Sequence, residues 1–72
     1  MFDMKKSGQK IKILREKSGK TLEEVAMDLG ITVSSYRKYE AGTRIPRDEL
    51  KERIANYFNR SVAFIFFNHE RH

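Results

Sequence analysis

Between Thr21 and Gly42 the chain starts a helix twice and stops it twice, and this constrains the fold more than any other stretch. Thr21-Leu22-Glu23-Glu24 has the capping-box pattern: the threonine hydroxyl accepts the backbone N–H of Glu24, and the Glu24 carboxylate reaches back. Glu23 and Glu24 also fall in the first turn, where the helix dipole favours negative charge. Val25, Ala26 and Leu29 share one face before Gly30 stops the helix. Thr32 caps the next helix, which turns Tyr36 and Tyr39 inward and ends at Gly42. Only a few residues around Gly30 join the two, too few for the helices to lie antiparallel along their length, so they must cross steeply. The crossing demands a small residue at Ala26, a positive φ at Gly30, and apolar filling from Val25, Leu29, Ile31, Tyr36 and Tyr39. Any two helices with a glycine between them satisfy one of these demands. This chain satisfies all of them at fixed offsets.

Elsewhere no segment alternates apolar and polar residues for long, so the whole chain is expected to be helical. Ile11, Leu14 and Ser18 recur at helical spacing and predict a first helix over 7–18, with Ser7 as its cap, Gly19 at its end and Ile13 exposed. After Pro46 a fourth helix over 47–58 aligns Leu50, Ile54, Ala55 and Phe58, with Asp48 and Glu49 in its first turn. Ser61 caps a short fifth helix over 62–67. The expected fold is therefore all-α, a compact five-helix bundle with a central helix-turn-helix spanning residues 7–67. Residues 1–6 and 68–72 are expected to be flexible termini. Lys5 and Lys6 fit equally a basic arm and a disordered terminus.

Seventy-two residues make one domain with a thin core and leave no room for a second. Without cysteine, neither a disulfide nor a thiolate metal site can support it. Residues 1–10 lack an apolar stretch of the signal-peptide kind, and no segment reaches membrane-spanning length, so a cytoplasmic protein with no membrane partner is expected. The charge is unevenly placed. Residues 1–20 hold seven basic and two acidic residues, 32–47 hold four and one, and 21–31 between them hold three acids and no base. Two basic stretches separated by an acidic one suggest a basic face assembled from distant pieces of chain, of the kind that meets DNA or RNA. Charge alone does not distinguish that partner from plain solubility at high pI.

No catalytic constellation accompanies this pattern. Ser34-Ser35 has no histidine placed to activate it, because His69 and His72 both lie in the tail. Their i, i+3 spacing is weak evidence for a metal, and no metal or cofactor is expected. Asn59-Arg60-Ser61 matches a glycosylation sequon, but a helix cap explains Ser61 better. Tyr36 and Tyr39 fall at inward spacing, as core rather than base-stacking residues. Arg37 and Lys38 taken alone describe a solvated helix face.

The run from Thr21 to Pro46 resembles the Cro/repressor (XRE-type) helix-turn-helix family. The likeness extends to Ile11-Lys-Ile-Leu-Arg-Glu before it, and to Ile54-Ala-Asn-Tyr-Phe, Ser61-Val62 and Ile65-Phe66 after it, covering about residues 7–67. The resemblance implies a lambda-repressor-like domain that binds specific duplex DNA and regulates transcription, with its second motif helix in the major groove. Carried over, base contacts fall on Thr32, Val33, Ser34, Arg37 and Lys38. Arg37 and Lys38 suit guanine O6 and N7, and Val33 suits a thymine methyl. Phosphate contacts fall on Thr21, Leu22, Ser35, Thr43 and Arg44. The family often has glutamine where this chain has Leu22, so Lys20, Arg44 and backbone amides are expected to carry more of the orientation. An arginine–glutamate pair of the family falls on Arg15 and Glu40, expected to meet partly buried with little net stabilisation.

In the fifth helix the resemblance turns Val62, Ile65 and Phe66 inward. The family usually has polar or acidic residues at the two intervening positions, and this chain has Ala63 and Phe64. Phe67 follows Phe64 at i+3, so the two rings are expected to share an outer face; Phe2 and Met4 fit equally a further contribution to it and a frayed terminus. Such a patch implies a homodimer through Ala63, Phe64 and Phe67 on a roughly palindromic operator. The alternative is that Phe64 folds back onto helix one or four. No sensing domain is expected within these residues, so any control is expected to come from a separate regulatory protein partner. The rival function is a protein-binding antitoxin or antirepressor-like module of the same fold.

Overall fold

The computed structural model describes residues 3–67, and Met1, Phe2 and residues 68–72 lie outside them. The expected frayed tail, the His69/His72 pair and the contribution of Phe2 to the apolar patch fall outside the described residues. The described chain is all-helical: α1 (Met4–Lys17), α2 (Leu22–Leu29), α3 (Val33–Ala41), α4 (Asp48–Tyr57) and a final turn, α5 (Ala63–Phe67), wound as a π-helix.

α1 starts earlier than the spacing predicts. Asp3, in extended conformation, accepts the Lys6 N–H at 3.0 Å and caps the helix, so residues 3–6 are a cap and a first turn rather than part of a flexible arm. Ser7, expected as the cap, is buried inside the helix at 3% exposure. The reason is tertiary. The first turns of α1 lie directly on the C-terminal end of α3, where a Cβ added at Gly8 would sit against the backbone oxygen of Glu40 and 2.6 Å from that of Tyr39. At the same crossing a Cβ on Gly42 would come within 2.8 Å of the Lys5 Cα.

The helix-turn-helix closes through its caps. Thr21 Oγ1 accepts from Glu24 N at 3.0 Å, and Thr21 N donates to Glu24 Oε1 at 2.8 Å. α2 ends at Gly30, with φ 73°, and the N–H groups of Gly30 and Ile31 donate to the carbonyls of Met27 and Ala26. Thr32 caps α3 by accepting the Ser35 N–H at 3.1 Å. Where the helices cross, Val25, Ala26 and Tyr36 have no exposed surface, while Ile31 and Tyr39 are half-buried against this core.

Two substitutions test the crossing. Ala26→Leu should overpack it and cost about 1–3 kcal/mol. Gly30→Val should destabilise through its positive φ alone, since only the Arg53 guanidinium, at 3.6 Å, is near a new Cβ. Gly30→Asn should lose less, because asparagine tolerates this conformation better. Each kcal/mol lowers the melting midpoint of a domain this small by roughly 4–8 °C. Melts of Ala26→Leu and Gly30→Val that match the wild type would contradict the tight turn.

Ile54, Ala55 and Phe58 of the α4 segment complete the core with Ile11, Leu29, Ile65 and Phe66. Lys51 is a departure from the expected pattern: it is buried at 8% exposure on α4. Its stem covers apolar surface, and its Nζ lies 3.5 Å from Asp48 Oδ1 and 5.1 Å from the Phe67 ring centroid. At the end of the chain, Ser61 Oγ accepts the Phe64 N–H at 3.0 Å. A π-helix advances by a smaller angle per residue than an α-helix, so rings three apart diverge. Phe64 lies under Lys10 of α1, with Nζ 4.6 Å from the ring centroid, whereas Phe67 lies beside Lys51 of α4. Both rings stay exposed, at 41% and 48%.

Candidate nucleic-acid interface

α3 buries only Tyr36 completely and offers most of its surface to solvent. Thr32, Ser34, Arg37 and Lys38 are exposed, and Val33 and Ser35 are half-buried. Arg37 and Lys38 follow Ser34 at i+3 and i+4, so the three share one face and Tyr36 holds the opposite face in the core. Burial first, and then the neighbouring Glu40 carboxylate, push the Tyr36 hydroxyl far above the ordinary tyrosine range, so this anchor stays neutral.

Arg15 ties the reading helix to the rest of the domain. Its Nε donates to Glu40 Oε2 at 2.7 Å and its Nη2 to Glu40 Oε1 at 3.2 Å, while Nη1 donates to the Lys20 carbonyl at 2.9 Å. One guanidinium thereby joins α1, the approach to α2 and the end of α3. The side chains are 12% and 7% exposed, a setting where desolvation offsets much of the attraction. The bond to Glu40 holds the arginine above its ordinary range, so it stays charged. Its contribution is orientation more than stability.

On the α4 side of α3, Arg44 Nη1 donates to Ser35 Oγ at 3.4 Å, bringing two of the predicted phosphate ligands together. Thr43 is exposed but already committed: its N–H and its hydroxyl both donate to the Lys38 carbonyl, at 3.0 and 3.4 Å. An open groove beside them is lined by Arg44, Arg47 and Arg53, with Ile31, Ile45 and Leu50 among its apolar walls. Arg53 also donates to the Leu29 carbonyl, clamping the end of α2 from α4. Arg47 and Arg53 escaped the sequence reading because, along the chain, each looks like an ordinary solvated charge.

The opposite flank differs from expectation. Lys20 Nζ is drawn to within 3.7 Å of Asp28 Oδ2, and Tyr57 donates its hydroxyl to the same oxygen at 2.6 Å. The Tyr57 hydroxyl first, and then Asp28, raise the Lys20 ammonium above its ordinary range. The Thr21 hydroxyl and amide are both used in the capping box, and Leu22 packs half-buried against the core. A second cleft, between α1 and α3, is lined by Lys12, Arg15, Leu22, Arg37, Glu40 and Ala41. It brings Lys12, which no sequence pattern singled out, beside Arg37.

Among the described residues no group of three acidic, histidine or cysteine side chains is placed to hold a metal, and no helix is long and apolar enough to cross a membrane.

Comparison with known proteins agrees with this architecture. A family model described as Helix-turn-helix matches residues 11–65. The chain is 35% identical over 54 residues, 75% of its length, to the cryptic phage CTXphi transcriptional repressor RstR of Vibrio cholerae. It spans about half of that relative, 49% of its length. With that match running from α1 into α5 and two capped helices crossing at Gly30, the chain belongs to the Cro/repressor (XRE-type) helix-turn-helix family of DNA-binding transcriptional regulators.

Proposed function

We propose that the chain binds a specific duplex operator as a homodimer and represses transcription. The carrying observation is the exposed face of α3, where Ser34, Arg37 and Lys38 stand together on a helix anchored behind by Tyr36 and the Arg15–Glu40 pair. In this reading Thr32, Val33, Ser34, Arg37 and Lys38 meet base edges in the major groove. Ser35 and Arg44 meet phosphate on one flank, and the start of α2 meets it on the other through the Leu22 backbone N–H, which has no acceptor within the helix. The repressor name of the relative supports the direction of regulation, and a cytoplasmic location accompanies that role.

The homodimer rests on α5. Phe64 and Phe67 remain exposed, with Ala63 also exposed beside them, although the two rings lean toward different neighbours. Phe64 is not folded into the core; Lys10 covers one side of its ring and donates to its carbonyl at 2.6 Å. Two copies joined here would set two recognition helices roughly 34–36 Å apart, one turn of DNA, and so double the contacts of a weak single module.

Selection of bound sites from random duplexes should yield a near-palindrome with half-sites about one turn apart. Phe64→Glu should stay folded, since Lys10 can pair the new carboxylate, but should sediment as a monomer and bind that site poorly. A wild type that is monomeric at high concentration and binds a single half-site would end the dimer reading. A protein that binds no duplex above non-specific level would favour the protein-binding module.

A further inference from the structure

A helix lying in the major groove, about 12 Å wide, has a sugar–phosphate strand on each side, so a domain that docks this way needs cationic or N–H donors on both flanks. Around α3 the α4 flank has them in Arg44 and Arg47. The other flank lacks a free cation at the positions that the motif assigns. Lys20 is held toward Asp28 and the Tyr57 ring, Thr21 is used in its own cap, Leu22 is apolar, and Glu23 and Glu24 follow immediately.

The cleft between α1 and α3 on that same flank is cationic. Lys12 stands on one lip and Arg37 on the other; both are exposed, and neither forms an ion pair among the described residues. Glu40, the carboxylate that lines this cleft among the described residues, is occupied by the two-bond contact with Arg15. Leu22, the first residue of α2, lines it as well, so the cleft opens where the motif brings a strand of the duplex closest. We propose that Lys12 is the cation that holds a backbone phosphate of the duplex at this cleft, the role that Asp28 keeps from Lys20. The inference rests on the DNA-binding reading and adds α1 to the interface.

The test is a salt titration of the full chain against a mixed-sequence duplex and against the selected operator, followed by anisotropy of the labelled DNA. Each phosphate contact contributes about 0.9 to the slope of log affinity against log salt. Lys12→Ala should therefore flatten the slope by about 0.9 per bound protomer and weaken both duplexes by the same factor. Lys12→Arg should restore both, and Lys20→Ala should leave the slope as in the wild type. Thermal melts should not move for Lys12→Ala, because the side chain is exposed and forms no ion pair among the described residues. A wild-type slope for Lys12→Ala overturns the inference while leaving the DNA-binding reading intact. A wild type with no salt-dependent binding to either duplex overturns that reading, and this inference with it.

Discussion

Replacing Gly8 with alanine is expected to unfold a large fraction of the domain, although intrinsic propensity favours the change. Alanine in a helix interior is better than glycine by about 1 kcal/mol, so an isolated α1 would gain from it. In the folded chain the added methyl would meet the Glu40 carbonyl oxygen and lie 2.6 Å from that of Tyr39. Both are backbone atoms at the end of α3 and cannot swing aside as a side-chain tip would. Overpacking of this kind typically costs about 1–3 kcal/mol, and more where the neighbours do not yield. Relief would require α1 to lift off α3, which would also separate Arg15 from Glu40 and release the reading helix. The expected result is a melting midpoint lowered by roughly 4–8 °C for each kcal/mol by which this cost exceeds the propensity gain, with DNA binding lost in proportion to the unfolded fraction. An unchanged or raised midpoint would mean that α1 and α3 do not cross so closely.

Removing the guanidinium of Arg37 or the ammonium of Lys38 should produce the largest change that leaves the fold intact. Both side chains are exposed, so alanine there should not move the melt. A lost bidentate contact to a base should remove about 1–3 kcal/mol of discrimination, with preference relaxed at the contacted base pair and retained elsewhere. Arg44→Ala should behave differently. Its partner is Ser35 on the flank, and its loss should weaken all duplexes about equally and flatten the salt dependence. Profiles of bound sequences for the three variants separate these outcomes. Arg37→Ala and Lys38→Ala that both select the wild-type site with wild-type affinity would remove α3 from the groove. Lys12, beside Arg37 in the cleft, makes a useful control, since its loss should affect affinity without changing the selected sequence.

The local chemistry of the helix-turn-helix was legible in the chain because it is short-range. A capping box spans four residues, and a helix that must stop and restart within a few residues needs a glycine at the stop. Thr21, Glu24, Gly30 and Thr32 could therefore be assigned from their neighbours alone, and the structure has them in those roles. Periodicity likewise identified Tyr36, Ile54 and Phe58 as core. It could not locate the start of α1. Ser7, the cap expected on local grounds, is displaced by Asp3 because α1 lies on the last turn of α3, a contact across some thirty residues. Gly8 is accordingly a packing residue, a role that its neighbours along the chain do not reveal. The same limit applies to charge. Local sequence makes Lys12, Lys20, Arg44 and Arg53 equivalent solvated cations, because what distinguishes them is the partner each finds from another helix: Asp28 for Lys20, Ser35 for Arg44, the Leu29 carbonyl for Arg53, and none among the described residues for Lys12. The caps and turn of the helix-turn-helix, and the buried stripes, were set by the sequence within one or two helical turns. Which cations remain free to meet a polyanion was decided only when the helices packed, because a Coulomb contact depends on distance in space and not on separation along the chain.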